Sequence, residues 1–106
     1  MNKKEAKWIK ELYEVILDLQ DPTEARKFFR DLMTAQELVE FGRRWRAAQM
    51  LEAGVPYVEI VEETGLSSTT VARVAKWLRK GMKGYKLALA KQNQKHHCRP
   101  SPSRKG

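Results

Sequence analysis

The chain has 106 residues, 42% of them apolar and 32% charged, with 21 lysines and arginines against 13 acids and a formal net charge of +8. That length holds one small domain, a single cysteine excludes an internal disulfide, and nothing approaches the run of roughly 18 apolar residues that a bilayer span requires. The basic opening MNKKEAKW leads into no apolar stretch of the secretory kind, so a cytoplasmic location is expected.

Residues 4–19 place Trp8, Ile9, Leu12, Tyr13, Ile16 and Leu19 three and four apart, a broad apolar stripe on a first helix. Asp21-Pro22-Thr23-Glu24 ends it and starts a second. Asp21 is suited to cap, Pro22 to the first helical position, and Glu24 to the positive helix end. Ala25, Phe28, Phe29 and Leu32 share a face of that second helix. Thr34 and Glu37 form a capping box, from which a long helix runs to about Ala53 with Leu38, Phe41, Trp45, Ala48 and Leu51 inward and Gly54 as its stop. Pro56 opens a short helix that ends before Gly65, another helix runs from Ser67 to about Lys80, and Gly81 and Gly84 bracket a break. Residues 85–90 have room for one or two further turns. No window alternates with period two, so the predicted class is all-α. Residues 91–106, KQNQKHHCRPSPSRKG, lack apolar periodicity and read as a disordered basic tail after a domain spanning residues 1–90.

Charge is distributed unevenly along these elements. Residues 1–40 carry 7 basic and 9 acidic side chains, residues 41–90 carry 9 and 4, and residues 91–106 carry 5 and none. Glu63 is the last acid, and eleven basic residues follow it. A merely solvated surface mixes the two signs, so this asymmetry points to a polyanionic partner.

The stretch EETGLSSTTVARVAKW has the composition of a helix-turn-helix. Two short helices crossing steeply need a glycine with positive φ, which Gly65 supplies, and a plug in the angle, which Leu66 supplies. Ser67 can cap the second helix. Ile60 and Val61 face Val71, Val74, Ala75 and Leu78. That leaves Ser67 at the helix start and Ser68, Thr69, Ala72, Arg73 and Lys76 on the outer face for a DNA major groove. Short hydroxyls there reach phosphates or base edges, and an arginine can hold guanine with two hydrogen bonds. Arg43, Arg46, Lys80 and Lys83 are candidates for phosphate contacts. Val61 stands where such crossings usually have alanine, which would widen the angle. A helical hairpin that only packs remains the alternative; the unopposed cations favour DNA.

Other chemistry has little support. His96-His97-Cys98 could touch a metal, but a closed zinc site needs four ligands and the chain has no further histidine or cysteine. No metal site, no catalytic residue and no cofactor is expected. Both histidines fall in the tail, no glycine-rich phosphate loop follows a strand, and Asp18 and Asp21 are better placed as caps than as an acid–base pair.

The segments LMTAQELVEFGRRWRAAQMLEAG and ETGLSSTTVARVAKWL resemble the Trp repressor superfamily, most closely its YerC/YecD-like branch of small bacterial proteins. The likeness covers about residues 10–90. It rests on the threonine-capped long helix, Gly42 with Arg44 and Arg46, and the glycine-turned pair of helices. It implies a multi-helix fold with a helix-turn-helix, assembled as a homodimer whose N-terminal helices interlock. Each subunit would then offer one recognition helix to successive major grooves of double-stranded DNA. The large apolar load of Trp8, Phe28, Phe29, Phe41 and Trp45 agrees with such an assembly, and a monomer core is the alternative.

In that family the effector tryptophan lies between two arginines. The resemblance puts them at Arg44 and Arg73, with Thr34 and Thr70 beside the pocket. Two positions depart: Val74 replaces a glycine and Trp77 a small serine. The expectation is therefore a pocket closed or reshaped by the chain's own side chains. Arg44 and Arg73 are then free for phosphate, or for an ion pair with an acid such as Glu40 or Glu63. The function expected is a sequence-specific DNA-binding regulator of transcription, a repressor acting by occlusion. The alternatives are a repressor gated by tryptophan or another small effector, and a protein-interaction module with only nonspecific DNA affinity.

Overall fold

The computed structural model describes the backbone of residues 1–98 and the side chains of residues 1–95; the side chains of His96, His97 and Cys98 and all of residues 99–106 lie outside it. Among the described residues there are six helices and no strand. These are α1 (Lys3–Leu17), α2 (Pro22–Leu32), α3 (Ala35–Glu52), α4 (Tyr57–Thr64), α5 (Ser68–Lys80) and α6 (Gly84–Cys98). The chain is all-α. None of these helices is long and apolar enough to cross a membrane. Two compact units divide it, residues 1–39 and the chain from residue 40 onward, with α3 beginning in the first and continuing into the second.

Capping chemistry sets the helix starts in the first unit. Asn2 and Glu5 satisfy each other's backbone amides at 2.8 and 2.9 Å, a capping box that opens α1. The Asp21 carboxylate accepts from the amide of Glu24 at 2.9 Å, and the Glu24 carboxylate reaches back to the amide of Gln20 at the same distance. Thr34 and Glu37 close the box at the start of α3, at 3.1 and 2.9 Å. Apolar coverage is a different matter. No residue of α1 or α2 is buried. Trp8 is 60% exposed, Tyr13 62% and Leu17 83%, although each belongs to or borders the apolar stripe. Phe28 and Phe29 meet edge to face at 5.4 Å.

The second unit has a core. Ala47 and Ala48 of α3, Ile60 of α4, Leu66 of the turn, and Val71 and Val74 of α5 are buried together, with Trp45, Met50, Leu51, Val55, Val61 and Tyr85 packed around them. At the end of α3, the amide of Val55 bonds the carbonyl of Met50 and that of Gly54 the carbonyl of Leu51, with Gly54 at φ +82°. This paired closure leaves the chain free to turn into Pro56 and α4. Phe41, expected inward, is 47% exposed, and its ring is covered instead by the Arg44 guanidinium, 5.3 Å from the centroid.

The helix α6 is longer than composition suggests. Residues 91–98, read above as part of a disordered tail, continue it. Its first half is held by Leu89, which is buried, and by Tyr85, whose ring stacks on Trp45 with centroids 6.5 Å apart. Burial pushes the Tyr85 phenol above the ordinary tyrosine value, and the positive charge of Arg44 partly offsets that rise. Beyond Leu89 the segment AKQNQK has neither proline nor glycine, and its alanine, lysines and glutamines are good helix formers. Local propensity therefore carries the helix on without an apolar stripe.

A candidate nucleic-acid interface

Two helices and a turn build the surface. Gly65 ends α4 at φ +75°, its amide bonded to the carbonyl of Val61 at 2.9 Å. Thr64, which the sequence reading passed over, ties the turn together. Buried, its hydroxyl donates to the Ile60 carbonyl at 2.7 Å and accepts from the Leu66 amide at 3.2 Å. The signal was there to be found: a threonine immediately before the turn glycine can bond the carbonyl four residues back while receiving an amide from across the turn. Leu66 is buried in the angle, as its place predicts.

The glycine is required for its backbone angle more than for space. A side-chain carbon built there would come no nearer than 3.7 Å to Arg43 Cζ, an ordinary contact. Gly65→Ala is thus expected to cost about 1–2 kcal/mol, the penalty of a left-handed conformation for an L-residue. Urea unfolding should show a lower midpoint at unchanged slope. An unaltered midpoint would mean that the turn relaxes freely.

Ser67 then starts α5. Its hydroxyl accepts from the Thr70 amide at 3.1 Å and donates to the Thr70 hydroxyl at 3.0 Å. The helix is cleanly two-sided beyond that. Val71, Val74, Ala75 and Leu78 are buried, while Ser67 at its start and Ser68, Thr69, Ala72, Arg73 and Lys76 along it are exposed. The outer face therefore holds short hydroxyls, one methyl and two cations, with no acid after Glu63. Val61 packs half-buried against the core beside α5. The exposed face of the preceding helix has the opposite character, with Glu59, Glu62 and Glu63 all in solvent.

The remaining basic candidates are also in this unit. The Arg43 guanidinium lies against Gly65, which puts a fork of donors beside the turn. Arg46 is exposed and donates to Gln49 Oε1 at 3.4 Å, and Lys80 and Lys83 are exposed on either side of the α5–α6 break. Lys83 adopts φ +68°, unusual for a side-chain-bearing residue.

The four residues of the expected effector pocket have other partners or none that suggests a ligand. Thr34 caps α3 in the first unit. Arg44 approaches Glu40 with Nε to Oε2 at 3.4 Å, near enough for charge attraction but not aligned as a hydrogen bond. Thr70 is engaged by Ser67, and Arg73 points to solvent. Val74 is fully buried in the core. Trp77 is not a buried plug: it is 43% exposed and walls a shallow groove with Gly81, Met82, Gly84 and Tyr85. The break at Gly81 leaves that side of the indole uncovered. Among the described residues no three histidines, cysteines or acids gather as a metal site would require.

Comparison with known proteins gives a consistent picture. A family model described as Trp repressor protein matches residues 7–93. An uncharacterized protein called YerC from Bacillus subtilis (strain 168) is 37% identical over 89 residues, 84% of this chain and 86% of that one. The crystal structure of a TrpR-like protein from Eubacterium eligens ATCC 27750 superposes with a TM-score of 0.79 at 33% identity, covering 82% of this chain and 90% of that chain. A crystal structure from Staphylococcus aureus matches with the same TM-score at 32% identity, over 88% and 95% of the two chains.

Proposed function

The chain belongs to the Trp repressor family, and on that premise we propose that it is a sequence-specific regulator of transcription that binds double-stranded DNA as a homodimer and represses by occluding its site. The observation that carries this reading is the division of α5: four buried apolar residues fix it to the body while Ser68, Thr69, Ala72, Arg73 and Lys76 stand out in solvent. Arg73 takes a guanine edge, Lys76 a base or phosphate at the groove margin, and the short hydroxyls approach phosphates. Ser67, committed as a cap, contributes by orienting the helix start. Arg43 beside the turn, with Arg46, Lys80 and Lys83, holds phosphates and sets register. Such work suits a compartment that contains DNA, in bacteria the cytoplasm.

The uncovered N-terminal unit supports the homodimer. A helix pair with no buried residue, and with Trp8, Tyr13 and Leu17 in solvent, needs an apolar cover, and a two-fold related copy supplies one. Gating by tryptophan has less behind it, since Thr34, Arg44 and Thr70 have intrachain partners and Val74 fills its place with protein.

The test is to select fragmented genomic DNA on the purified protein at about 0.15 M salt, near physiological ionic strength. The expected product is a short palindrome with half-sites about one helical turn apart, bound equally with and without tryptophan. Even recovery of all sequences would replace this reading with that of a basic protein-interaction module.

A further inference from the structure

Helix α6 changes character halfway along. Through Leu89 it is packed on the body that carries α5; from Ala90 to Lys95 every side chain is exposed. At about 1.5 Å per residue, the stretch from Leu89 to Cys98 extends roughly 13 Å, comparable to about four nucleotide steps of duplex. Its apolar content does not ask for a protein partner. Gln92, Asn93 and Gln94 are polar, and Lys91 and Lys95 lie one turn apart on one line. Like charges at that spacing weaken a helix, and no acid follows Glu63 to relieve them. Lysines near a helix C-terminus do favour the helix dipole, which explains one of the two cations more readily than the pair. Lys86, also exposed, lies roughly 140–180° around the helix from that line and is not part of it.

We propose that α6 is a second DNA-contacting element, in which Lys91 and Lys95 bind phosphates outside the base pairs read by α5. The inference rests on the DNA-binding reading given above. Charge complementarity selects the partner. The run is wholly cationic and flanked by amide side chains that bond phosphate and sugar oxygens, and it has no aromatic side chain on which single-stranded bases would stack. The contact contributes affinity and lengthens the footprint without adding to sequence preference.

The test uses the full-length chain and its Lys91→Gln/Lys95→Gln variant. The probes are the duplex recovered by genomic selection, in a version trimmed to the half-sites and one extended by about half a helical turn at each end, and a random duplex of the longer length. Each lost phosphate contact lowers the slope of log affinity against log salt by about 0.9. The variant is therefore expected to lose about two units of slope per chain on both long probes, and to match the unaltered protein on the trimmed one. Lys91→Arg/Lys95→Arg should restore the slope, and circular dichroism should show the same helix content in all three proteins. Equal slopes for glutamine variant and parent on the long probes would overturn the proposal while leaving the reading of α5 intact. A deficit equally large on the trimmed probe would overturn it too, by placing the charges within the half-sites. If the parent shows no preference among duplexes, the DNA-reading assignment itself fails and this proposal with it.

Discussion

Arg73→Ala is expected to remove the protein's preference for its operator while leaving its hold on random DNA nearly unchanged. Arg73 is exposed on the one face of α5 that the core does not use; Ser68, Thr69 and Ala72 on that face are too short to substitute for it, and Lys76 lacks the two-pronged donor geometry of a guanidinium. A bidentate arginine–guanine contact discriminates by about 1–3 kcal/mol, or roughly 5- to 150-fold in affinity for each half-site occupied. Lys80→Ala provides the contrast. A phosphate contact carries no sequence information, so its loss should weaken specific and random duplexes by the same factor and reduce the salt slope by about one unit. Titration of both variants on operator and random duplex, at several salt concentrations, separates the roles. If both lose specific and random binding equally, Arg73 is a phosphate contact and the reading of α5 has to be redrawn.

The second large effect is expected at the other end of the chain. Trp8→Ala should weaken the homodimer by about 2 kcal/mol or more, the usual cost of truncating a central aromatic anchor, and two-fold symmetry applies the loss twice. The residue is 60% exposed in the single chain and lies among Met1, Glu5, Ile9 and Leu12, so its removal damages no core that the structure contains. Mass action makes the effect visible. The parent's melting temperature should rise with protein concentration, and the variant's should be lower and sediment as a larger monomer fraction. A parent that sediments as monomer, with a melting temperature independent of concentration, would dispose of the homodimer. Loss of melting temperature in the variant without any change in sedimentation would place Trp8 in an intrachain role.

What was legible in the sequence was mostly local. A cap is a contact between residues three apart, so Asp21 with Glu24, and Thr34 with Glu37, could be named without any knowledge of the fold. Gly65 and the buried side of α5 were readable for a similar reason: φ > 0 and a three-to-four spacing are properties of a few consecutive residues. Questions of direction were not readable. Trp77 has the volume to fill a pocket, but where the indole lies depends on a break at Gly81 and on how α6 returns, and it lies half in solvent. Arg44 had two acids to choose from; Glu40, one turn back on its own helix, has the advantage of proximity over Glu63. The length of α6 escaped because its polar second half has no periodicity to detect, while propensity alone sustains the helix there. The outer residues of α5 could be named from the sequence because exposure and residue type follow the same three-to-four spacing that marks its buried side.

The pairing of α4 with α5 has a kinetic consequence. One helix shows solvent Glu59, Glu62 and Glu63, and the helix packed against it shows Arg73, Lys76, Arg79 and Lys80. Two helices of opposite surface charge therefore sit against each other on one body, which gives that body an electric moment. If the chain binds DNA as proposed, this moment is expected to exert a torque near the polyanion, favouring approach by α5 over approach by α4. On that reading, encounters that begin the wrong way round are expected to be corrected during approach, raising the share of productive collisions. The expected effect of this acidic helix is on the rate of association rather than on the lifetime of the complex.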